Sequence, residues 1–448
     1  MRVRLTGNRG LATLEMLIAM TIMVTAICSV LPLVVGGQSF SVSSQAGQEN
    51  IYRNQTMLEE AEALARENFT NLKSQNGLLV TDVDSYTKKV SAGGLSTLVT
   101  DWKSALGGNM CSTALEGDWT QPKSYGYFNI SNTAGASAVS IQGTAAYVVA
   151  DSNSAATDDF YIIDVSGAKE NGTSLPVLGH FSTTYGLTDV RTVGTYAYVV
   201  ADSASYQFLV IDVADPAILN SSKVVAKRDM TASGDTAIGN TLFYADKKVY
   251  VGLTKSKGPE FYIFDVSNPV NPTLLGSYEV GGAVNDIIVN GSLAYLATSS
   301  GDETIALDVT NPASPSLVGT YHSNTLSGQS LAVSGQPTVY LGRIGGNGNP
   351  KLLAFSGNNL ASPAWTMNMP KQSGVYSLTL RGNYLFLTNA DPTDGFQIFD
   401  ISQVPARYDT VPLNTQQYSP AGTFCFGNLL YVASHSTRAL EIIGPHQP

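Results

Sequence analysis

The longest hydrophobic pattern of the chain lies close to its amino terminus. Leu11 to Val35 form an apolar run of 25 residues that contains one charged side chain, Glu15. At 1.5 Å per residue, a helix of this length crosses a hydrocarbon core of about 30 Å. An unpaired carboxylate in such a helix costs roughly 2–3 kcal/mol or more, so Glu15 needs a partner. The pattern predicts a membrane-spanning or filament-core helix over 11–37, after a basic leader over 1–10.

An amphipathic pattern follows the apolar run. Between Ala46 and Gln75, hydrophobic residues recur at intervals that place them on one face of a helix. They are Ile51, Met57, Leu58, Ala61 and Leu64. This pattern predicts that 38–77 continue the first helix, with Gly77 as its stop. Residues 78–124 contain short strand-like or helix-like runs and are expected to form a small collar or linker.

From Tyr125 onward the chain repeats a pattern of four short strands. One strand of each unit has an aromatic residue at its centre, and these aromatics are separated by 51, 52, 45, 45, 46 and 45 residues. They are Tyr147, Tyr198, Tyr250, Tyr295, Tyr340, Phe386 and Tyr431. Four strands per unit of this length are typical of a β-propeller blade. The pattern predicts a mainly β protein, with a seven-bladed β-propeller over 125–448 that follows the long N-terminal helix.

The two ends of the repeat region complement each other. The last unit ends at Glu441–Pro448 without a fourth strand, whereas Tyr125–Ser131 precedes the first unit without a blade of its own. We expect Tyr125–Ser131 to complete the last blade as its outer strand. Such closure removes the exposed sheet edges that favour aggregation.

Composition supports this prediction and narrows the function. The 42 glycines, the 22 tyrosines and a charged fraction of 13% suit a turn-rich β protein. A net charge of −10 argues against nucleic acid as a partner. Of the three cysteines, Cys28 lies in the apolar run, and Cys111 and Cys425 either form a disulfide or remain buried free thiols.

The N-terminal motif resembles that of type IV prepilins and pseudopilins. Gly10 and Leu11 are followed at the fifth position after Gly10 by Glu15, and a basic leader precedes them. The resemblance implies cleavage after Gly10 by a prepilin peptidase, methylation of the new amino terminus at Leu11, and insertion into the inner membrane before assembly. It also implies that Glu15 offsets the charged amino terminus of a neighbouring pilin subunit, since a buried carboxylate needs a buried cation.

The end of the hydrophobic run matches the same families. Pro32 lies where many pilins carry a helix-breaking proline, and Gly36 and Gly37 follow it. Proline removes one helical hydrogen bond, so the helix is expected to bend or end here. Two alternatives stay open: a secretory signal peptide cleaved near Ser29, and a plain signal-anchor helix in which Glu15 has no role.

Two repeat units resemble LVIVD repeats, which occur in propellers of bacterial surface proteins. The units are Asp265–Tyr278 and Asp308–Tyr321, with weaker versions at Asp212–Pro216 and Asp400–Ser402. The resemblance implies a propeller fold and an extracellular location. It supplies no catalytic residues.

The sequence offers little catalytic chemistry. His180, His322, His435 and His446 share no metal-ligand spacing, and no serine lies in a G-x-S-x-G motif. We therefore expect a protein without enzymatic activity. A propeller enzyme that acts on polysaccharide is the alternative, and it would need a convergent His, Asp and Arg site at the channel mouth.

Two kinds of acidic position invite different interpretations. Hairpins carry Asp151 with Asp158 and Asp159, Asp302 with Glu303, and Asp391 with Asp394, which could ligate Ca²⁺ but are better explained as solvated turns. No cofactor is therefore expected. A second set recurs at the same place in most units, and this recurrence predicts a structural role in capping a turn. The set is Asp164, Asp212, Asp265, Asp308 and Asp400.

Variable loops on one face of the propeller are the expected ligand surface, because loops on a rigid scaffold commonly hold recognition residues. The candidate residues are Tyr185, Asp189, Asp286 and Tyr418. The positions that open the innermost strands are mostly small and uncharged: Ala138, Asp189, Thr241, Asp286, Ser330, Ser377 and Gly422.

Together these patterns predict a pilin or minor pilin that displays a propeller on an extracellular filament. There it would serve adhesion or the binding of protein or glycan. The alternative from another class is a membrane-anchored pseudopilin or a periplasmic or surface binding module of a secretion system.

Overall fold

The computed structural model describes most of the repeat region and short parts of the segment before it. The described residues are 53–61, 72–74, 77–84, 87–100, 110–111, 116–130, 135–152, 154–323, 326–334, 338–346, 348–356, 359–369, 373–389, 395–402, 406–411, 420–436 and 438–447. The chain divides into two compact units, Met1–Asp101 and Trp102–Pro448.

The first unit contains a helix over 53–61 and a three-stranded antiparallel sheet. Its strands are β1 (Leu78–Asp84), β2 (Thr87–Ala92) and β3 (Leu95–Thr100). Gly93 and Gly94, both with positive φ, form the two-residue turn between β2 and β3, a backbone conformation that glycine adopts most readily. Of the helix predicted over Ala46–Gln75, residues 53–61 are helical and 72–74 are not. Ala61 packs with Leu72 and with the sheet in a small core.

Seven sheets of four or five strands account for the strands described in the second unit. The first three sheets consist of β6 (Ala138–Gln142), β7 (Ala145–Val149), β8 (Phe160–Asp164) and β9 (Val177–Phe181); β10 (Leu187–Val193), β11 (Tyr196–Ala201), β12 (Phe208–Asp212) and β13 (Val224–Arg228); and β14 (Gly239–Ala245), β15 (Lys248–Leu253), β16 (Phe261–Asp265) and β17 (Thr273–Tyr278). Two 3₁₀ turns, Pro216–Ile218 and Ser221–Lys223, connect β12 to β13.

The next three sheets repeat the same order. They consist of β18 (Val284–Asn290), β19 (Leu293–Thr298), β20 (Asp302–Asp308) and β21 (Ser316–His322); β22 (Ser327–Val333), β23 (Thr338–Ile344), β24 (Leu352–Ser356) and β25 (Trp365–Met367); and β26 (Ser377–Arg381), β27 (Tyr384–Thr388), β28 (Phe396–Asp400) and β29 (Ala406–Val411). Strands that follow each other in the chain pair antiparallel within each of these sheets.

The seventh sheet joins the two ends of the repeat region. Its strands, in spatial order, are β4 (Met110–Cys111), β30 (Pro420–Gly427), β31 (Leu429–Ser434), β32 (Leu440–His446) and β5 (Asp118–Phe128). The antiparallel pairing of β5 with β32 confirms that the segment around Tyr125 completes the last sheet. The strand begins at Asp118, so this sheet also includes 118–124, which the sequence pattern assigned to the collar or linker.

Burial follows the position of each strand within its sheet. The second and third strands are nearly continuous apolar runs, such as β11 and β12, because they are covered on both faces. The fourth strands are more exposed, as in β17 and β21. The repeated aromatics are all buried in second strands, as the repeat predicts: Tyr147, Tyr198, Tyr250, Tyr295, Tyr340, Phe386 and Tyr431.

The first strands of the sheets contact one another in cyclic order. β6 contacts β10, and the contacts continue through β14, β18, β22 and β26 to β30, which contacts β6. The second unit is therefore mainly β, with propeller-like blades around a central axis.

β4 pairs in parallel with the carboxyl end of β30 at Phe426 and Gly427. Cys425 on β30 is disulfide-bonded, so a free thiol at this position is ruled out.

Candidate binding site at the mouth of the central cavity

A polar cavity lies at the amino-terminal ends of the seven innermost strands. Its volume is about 520 Å³, and every innermost strand contributes to its lining. The seven strand-opening positions of the sequence pattern all lie on it: Ala138, Asp189, Thr241, Asp286, Ser330, Ser377 and Gly422. The regular repeat therefore brings together residues that are separated by up to 284 positions in the sequence.

β-Bulges shape the rim of this cavity. In β10 and in β18 the pairing register shifts just before Asp189 and Asp286, which leaves Thr188 and Asn285 as the extra residues. Equivalent shifts occur in β14, β22 and β30. A bulge re-aims the side chains beside it, so two successive polar residues line the cavity where regular pairing would turn one of them away.

The bulge residues link neighbouring sheets through their side chains. The hydroxyl of Thr188 donates to the carbonyl of Gly239 at 2.8 Å. The amide of Asn240 donates to the carbonyl of Val284 at 2.7 Å, and the amide of Asn285 donates to that of Gly328 at 2.7 Å. Each of these bonds ties a bulge to the backbone of the next sheet. The result is a partial ring of amide and hydroxyl groups around the mouth.

Asp189 and Asp286 hold the next sheet in the same way. Oδ2 of Asp189 accepts from the backbone N–H of Leu242 at 3.0 Å and from the hydroxyl of Thr241 at 3.1 Å. Oδ2 of Asp286 accepts from the backbone N–H of Leu331 at 2.8 Å. Each carboxylate also accepts from the backbone N–H of the residue that follows it. The structure places both residues near the start of strands β10 and β18, in agreement with the strand-opening positions predicted for them and not in the variable loops named as the ligand surface.

The two carboxylates differ in their electrostatic surroundings. Asp189 pairs with Arg191, whose guanidinium donates to Oδ1 at 2.9 Å. Asp286 has no ion-pair partner among the described residues. Burial raises the pKa of Asp286 to about 7, although its two backbone hydrogen bonds and the charge of Arg191 act in the opposite direction.

Larger side chains complete the lining. Arg191, Tyr376 and His435 border the cavity together with the carboxylates, and Asp151 lies at its exposed rim. The strand-opening positions are thus mostly small and uncharged, as the sequence indicates, and the charged and aromatic groups of the lining come from positions beside them. Aligning the repeats over the positions beside the strand openings would have revealed Asn240, Asn285 and Gln329 as a run of amides in three successive units.

Tyr185 belongs to a different cluster from Asp189 and Asp286. Its ring packs edge-on against Tyr206 with centroids 5.8 Å apart, and Lys227 donates to its hydroxyl at 2.9 Å. The ammonium of Lys227 also lies 4.8 Å from the ring centroid of Tyr185. Tyr418 lies outside the described residues, as do Gly10, Leu11, Glu15, Pro32, Gly36 and Gly37.

The recurring aspartates cap turns, which confirms the structural role predicted for them. In each case Oδ1 accepts from the backbone N–H two residues later, an Asx turn. The bonds are 2.8 Å at Asp164, 3.1 Å at Asp212, 2.7 Å at Asp265, 2.8 Å at Asp308 and 2.9 Å at Asp400.

The interpretation of the other acidic clusters as solvated turns is wrong for Asp159 and Glu303, which are fully buried. Asp159 accepts from the backbone N–H groups of Thr183 and Gly186, and burial raises its pKa to about 6. Glu303 pairs with the buried Arg343 at 2.6 Å. Glu260 occupies the equivalent position one sheet earlier and accepts from Val280 and Gly281. These acids tie the loop after the fourth strand to the body of the blade.

The described part of the chain contains no group of three or more acidic, histidine or cysteine side chains placed to hold a metal ion. Asp391 and Asp394 lie outside it. Nor does any helix within the described ranges have the length and apolar character needed to span a membrane. The hydrophobic run Leu11–Val35 lies outside those ranges.

Comparison with solved structures shows the fold. The WD40 β-propeller domain of Doa1 aligns with 73% of this chain and 98% of its own, at 12% identity and a TM-score of 0.54. A chain of a mitotic checkpoint complex aligns with 75% of this chain and 96% of its own, at 13% identity and a TM-score of 0.51. YCF48 bound to D1 peptide aligns with 74% of this chain and 98% of its own, at 11% identity and a TM-score of 0.50.

Comparison at the level of sequence finds the repeats. No curated protein matches the chain. The LVIVD repeat family matches residues 188–226, 249–280 and 281–323. These stretches include both units in which the repeat was recognised most clearly and the weaker one at Asp212–Pro216. The chain thus contains LVIVD repeats within a β-propeller-like fold.

Proposed function

We propose that the protein is a type IV pilin-like filament subunit that displays a seven-bladed β-propeller outside the cell as a binding module. The observation that carries the proposal is the motif from Gly10 to Glu15, with a basic leader before it and a further 20 uncharged, mostly apolar residues after it. A lone carboxylate early in a hydrophobic helix is tolerable where a buried ammonium meets it. A methylated amino terminus at Leu11 of a neighbouring subunit would supply that ammonium.

The blade count rests on agreement between sequence and topology. Seven repeat units correspond to seven sheets among the described strands, and their innermost strands contact one another in a closed cycle. Strand β5 joins the end of the ring to its beginning. This closure supports a rigid head, which suits display at the end of a helical stalk.

The cavity supports binding rather than catalysis. Asp189 and Asp286 both accept backbone N–H groups, so their carboxylates are fixed as links between sheets. YCF48, a protein of similar fold, has been solved with a bound peptide, and a peptide is the ligand class that we propose for this chain too. The disulfide at Cys425 favours a compartment outside the cytosol.

Mass spectrometry of the N-terminal peptide tests the proposal, with material sheared from the cell surface compared with membranes. We expect a terminus at Leu11, methylated, in the sheared fraction. A terminus at Leu11 that stays with the envelope would instead identify a pseudopilin of a secretion system. An intact Met1, or a cut near Ser29 with no protein in the sheared fraction, would overturn the pilin assignment.

A pair of variants tests the role of Glu15. We expect Glu15→Ala to abolish incorporation into sheared filaments, because it leaves a neighbouring ammonium without a partner. Glu59→Ala, an identical change on the exposed face of the helix over 53–61, is the control and should assemble normally. Normal assembly of Glu15→Ala would contradict the proposed subunit packing.

A further inference from the structure

We propose that the cavity at the mouth of the propeller binds a primary ammonium group, in the form of a lysine side chain of a partner protein. The inference deepens the proposed function, because it rests on the propeller being a protein-binding module and names the chemistry of its site. It is carried by the charge distribution of the cavity, by its open hydrogen-bond acceptors and by one buried hydroxyl to which the described residues offer no partner.

The charge distribution leaves one carboxylate without an ion-pair partner among the described residues. Arg191 and Asp189 form an ion pair at 2.9 Å, so their charges largely cancel. Asp286, on the same cavity wall, has no cation within ion-pair distance in the described part of the chain, and the exposed Asp151 adds a second negative charge at the rim. A desolvated carboxylate is stabilised by a bound cation, since the two charges interact more strongly away from bulk water.

Open acceptors lie close to Asp286 in the fold. Asn240 and Asn285 each donate a side-chain N–H to a backbone carbonyl of the next sheet. The side-chain oxygen of Asn240 takes no part in that bond and accepts no hydrogen bond from the described residues. Gln329 lies on the same strand as Leu331, the residue whose N–H donates to Asp286. It lines the cavity with an amide that makes no hydrogen bond to the described residues. An ammonium carries three donors and no acceptor, so a carboxylate with side-chain carbonyls beside it is a complementary set.

Ser137 provides an observation that is independent of the acidic groups. It lines the same cavity from the side of β6, and it is about nine-tenths buried. Its hydroxyl has no hydrogen-bond partner in the part of the chain that the structure describes. A buried polar group without a partner costs free energy, which a bound polar group recovers.

The size of the cavity indicates how the ammonium arrives. A volume of about 520 Å³ is within the range of small-ligand sites and exceeds what an isolated amine fills. Tyr376 adds an aromatic surface to the lining, against which an alkyl stem can pack. A four-carbon lysine stem that ends in an ammonium matches this combination.

Isothermal titration calorimetry of the full chain in detergent tests the inference with three peptides. The first is acetyl-glycyl-lysyl-glycinamide, the second is the same peptide with an acetylated lysine side chain, and the third is a lysine-free peptide with a free amino terminus. We expect binding of the first and none of the second. Binding of the third alone would support the ammonium site but overturn lysine as its source. Equal binding of the first and second peptides, or no binding of any, would overturn the site.

Variants with opposite expected effects separate binding from misfolding. Asp286→Asn removes the uncompensated charge and should weaken the affinity for the lysine peptide at least about 30-fold. Arg191→Gln removes the competing cation and should strengthen that affinity several-fold, an outcome that loss of folding cannot produce. Asp265→Asn, which changes an aspartate in a turn outside the cavity, is the control and should bind as the wild type does.

Two results would overturn the assignment: unchanged affinity in Asp286→Asn, or weaker affinity in Arg191→Gln. The outcome is distinguishable from that of the filament experiment. Lysine-peptide binding by a protein absent from sheared filaments would leave the site standing and remove the pilin function. Incorporation into sheared filaments without binding of the lysine peptide would overturn only the proposed ammonium site.

Discussion

Aspartate performs two jobs in this propeller-like unit, and their comparison separates scaffold from candidate site. The turn aspartates, represented by Asp265, bond within their own hairpin to the residue two positions later. The mouth aspartates, Asp189 and Asp286, bond across to the next sheet. Both kinds accept backbone N–H groups. The difference is therefore in what they connect and in how much water surrounds them.

Their ionisation follows from that difference. The hydroxyl and backbone N–H of Ser267 lower the pKa of Asp265, because they stabilise its charged form in contact with solvent. At the mouth, burial raises the pKa of Asp286 to about 7, because protein replaces water around its carboxylate. The aspartate that recurs in most blades thus caps a turn. Asp189 and Asp286, which occur in two blades only, make one side of the cavity acidic.

Breaking the link made by Asp189 should have the largest effect. Asp189→Ala removes the counter-charge of Arg191, which keeps its bond to the carbonyl of Val190, and it removes the side-chain acceptor of the Leu242 N–H. We expect a loss of about 3 kcal/mol in the free energy of unfolding, since a half-buried cation loses its counter-charge. Urea unfolding at pH 7 measures it. Asp189→Asn, which keeps one acceptor oxygen, is the matched control with a smaller loss. A loss below about 1 kcal/mol for the alanine variant would show that the link between sheets is dispensable.

The pH dependence of stability tests the second half of the comparison. Because the folded pKa of Asp286 lies above its ordinary value of 3.8, the native state holds a proton that the unfolded state releases between these values. Its contribution to stability is present at pH 4 and is lost as the pH rises to 7. Relative to Asp286→Asn, the wild type should therefore lose about 2 kcal/mol between pH 5 and pH 8.

Denaturant unfolding of both proteins across this pH range provides the measurement. Asp159, whose pKa is also raised, is present in both proteins, so the difference between their profiles reports Asp286 alone. Parallel profiles for the two proteins would contradict the raised pKa.

The turn aspartates should show the smallest effect on stability, and the pH dependence of that effect should be opposite to that of Asp286. Asp265→Ala removes the acceptor for the N–H and hydroxyl of Ser267 and should cost about 1 kcal/mol at pH 7. The folded pKa of Asp265 is lowered, so its contribution is present above the unfolded pKa and is lost as the pH falls through the folded value. Thermal unfolding at pH 7 and pH 3 measures the change. A cost that grows at pH 3 would be inconsistent with the Asx turn.

Much of the fold could be predicted because it depends on local repetition. Most blades satisfy the same backbone pattern with the same residue types, so the buried aromatics such as Tyr198 recur every 45 to 52 residues and turn caps such as Asp265 recur in most blades. The closure by β5 followed from counting strands at the two ends. These features need only the sequence of one unit and the requirement that each sheet bury its faces.

The burial of Asp159 and Glu303 could not be predicted from the sequence. In a hairpin, an acid is usually solvated, and only the loop that returns from the fourth strand decides that these two are enclosed. The same is true of the bulges beside Asp189 and Asp286, because register depends on the pairing of two strands rather than on either one.

The sequence by itself determined the repeat, the positions of the buried aromatics and the turn caps, because each depends on residues close together in the chain. Only the tertiary structure decided the composition of the cavity. Its lining includes residues from four different repeat units, Ser137, Arg191, Asp286 and Gln329. They lie around one cavity because the innermost strands contact one another in a cycle. The burial of these side chains and the pairing of their charges arise from contacts between blades, which the sequence of a single repeat unit does not contain.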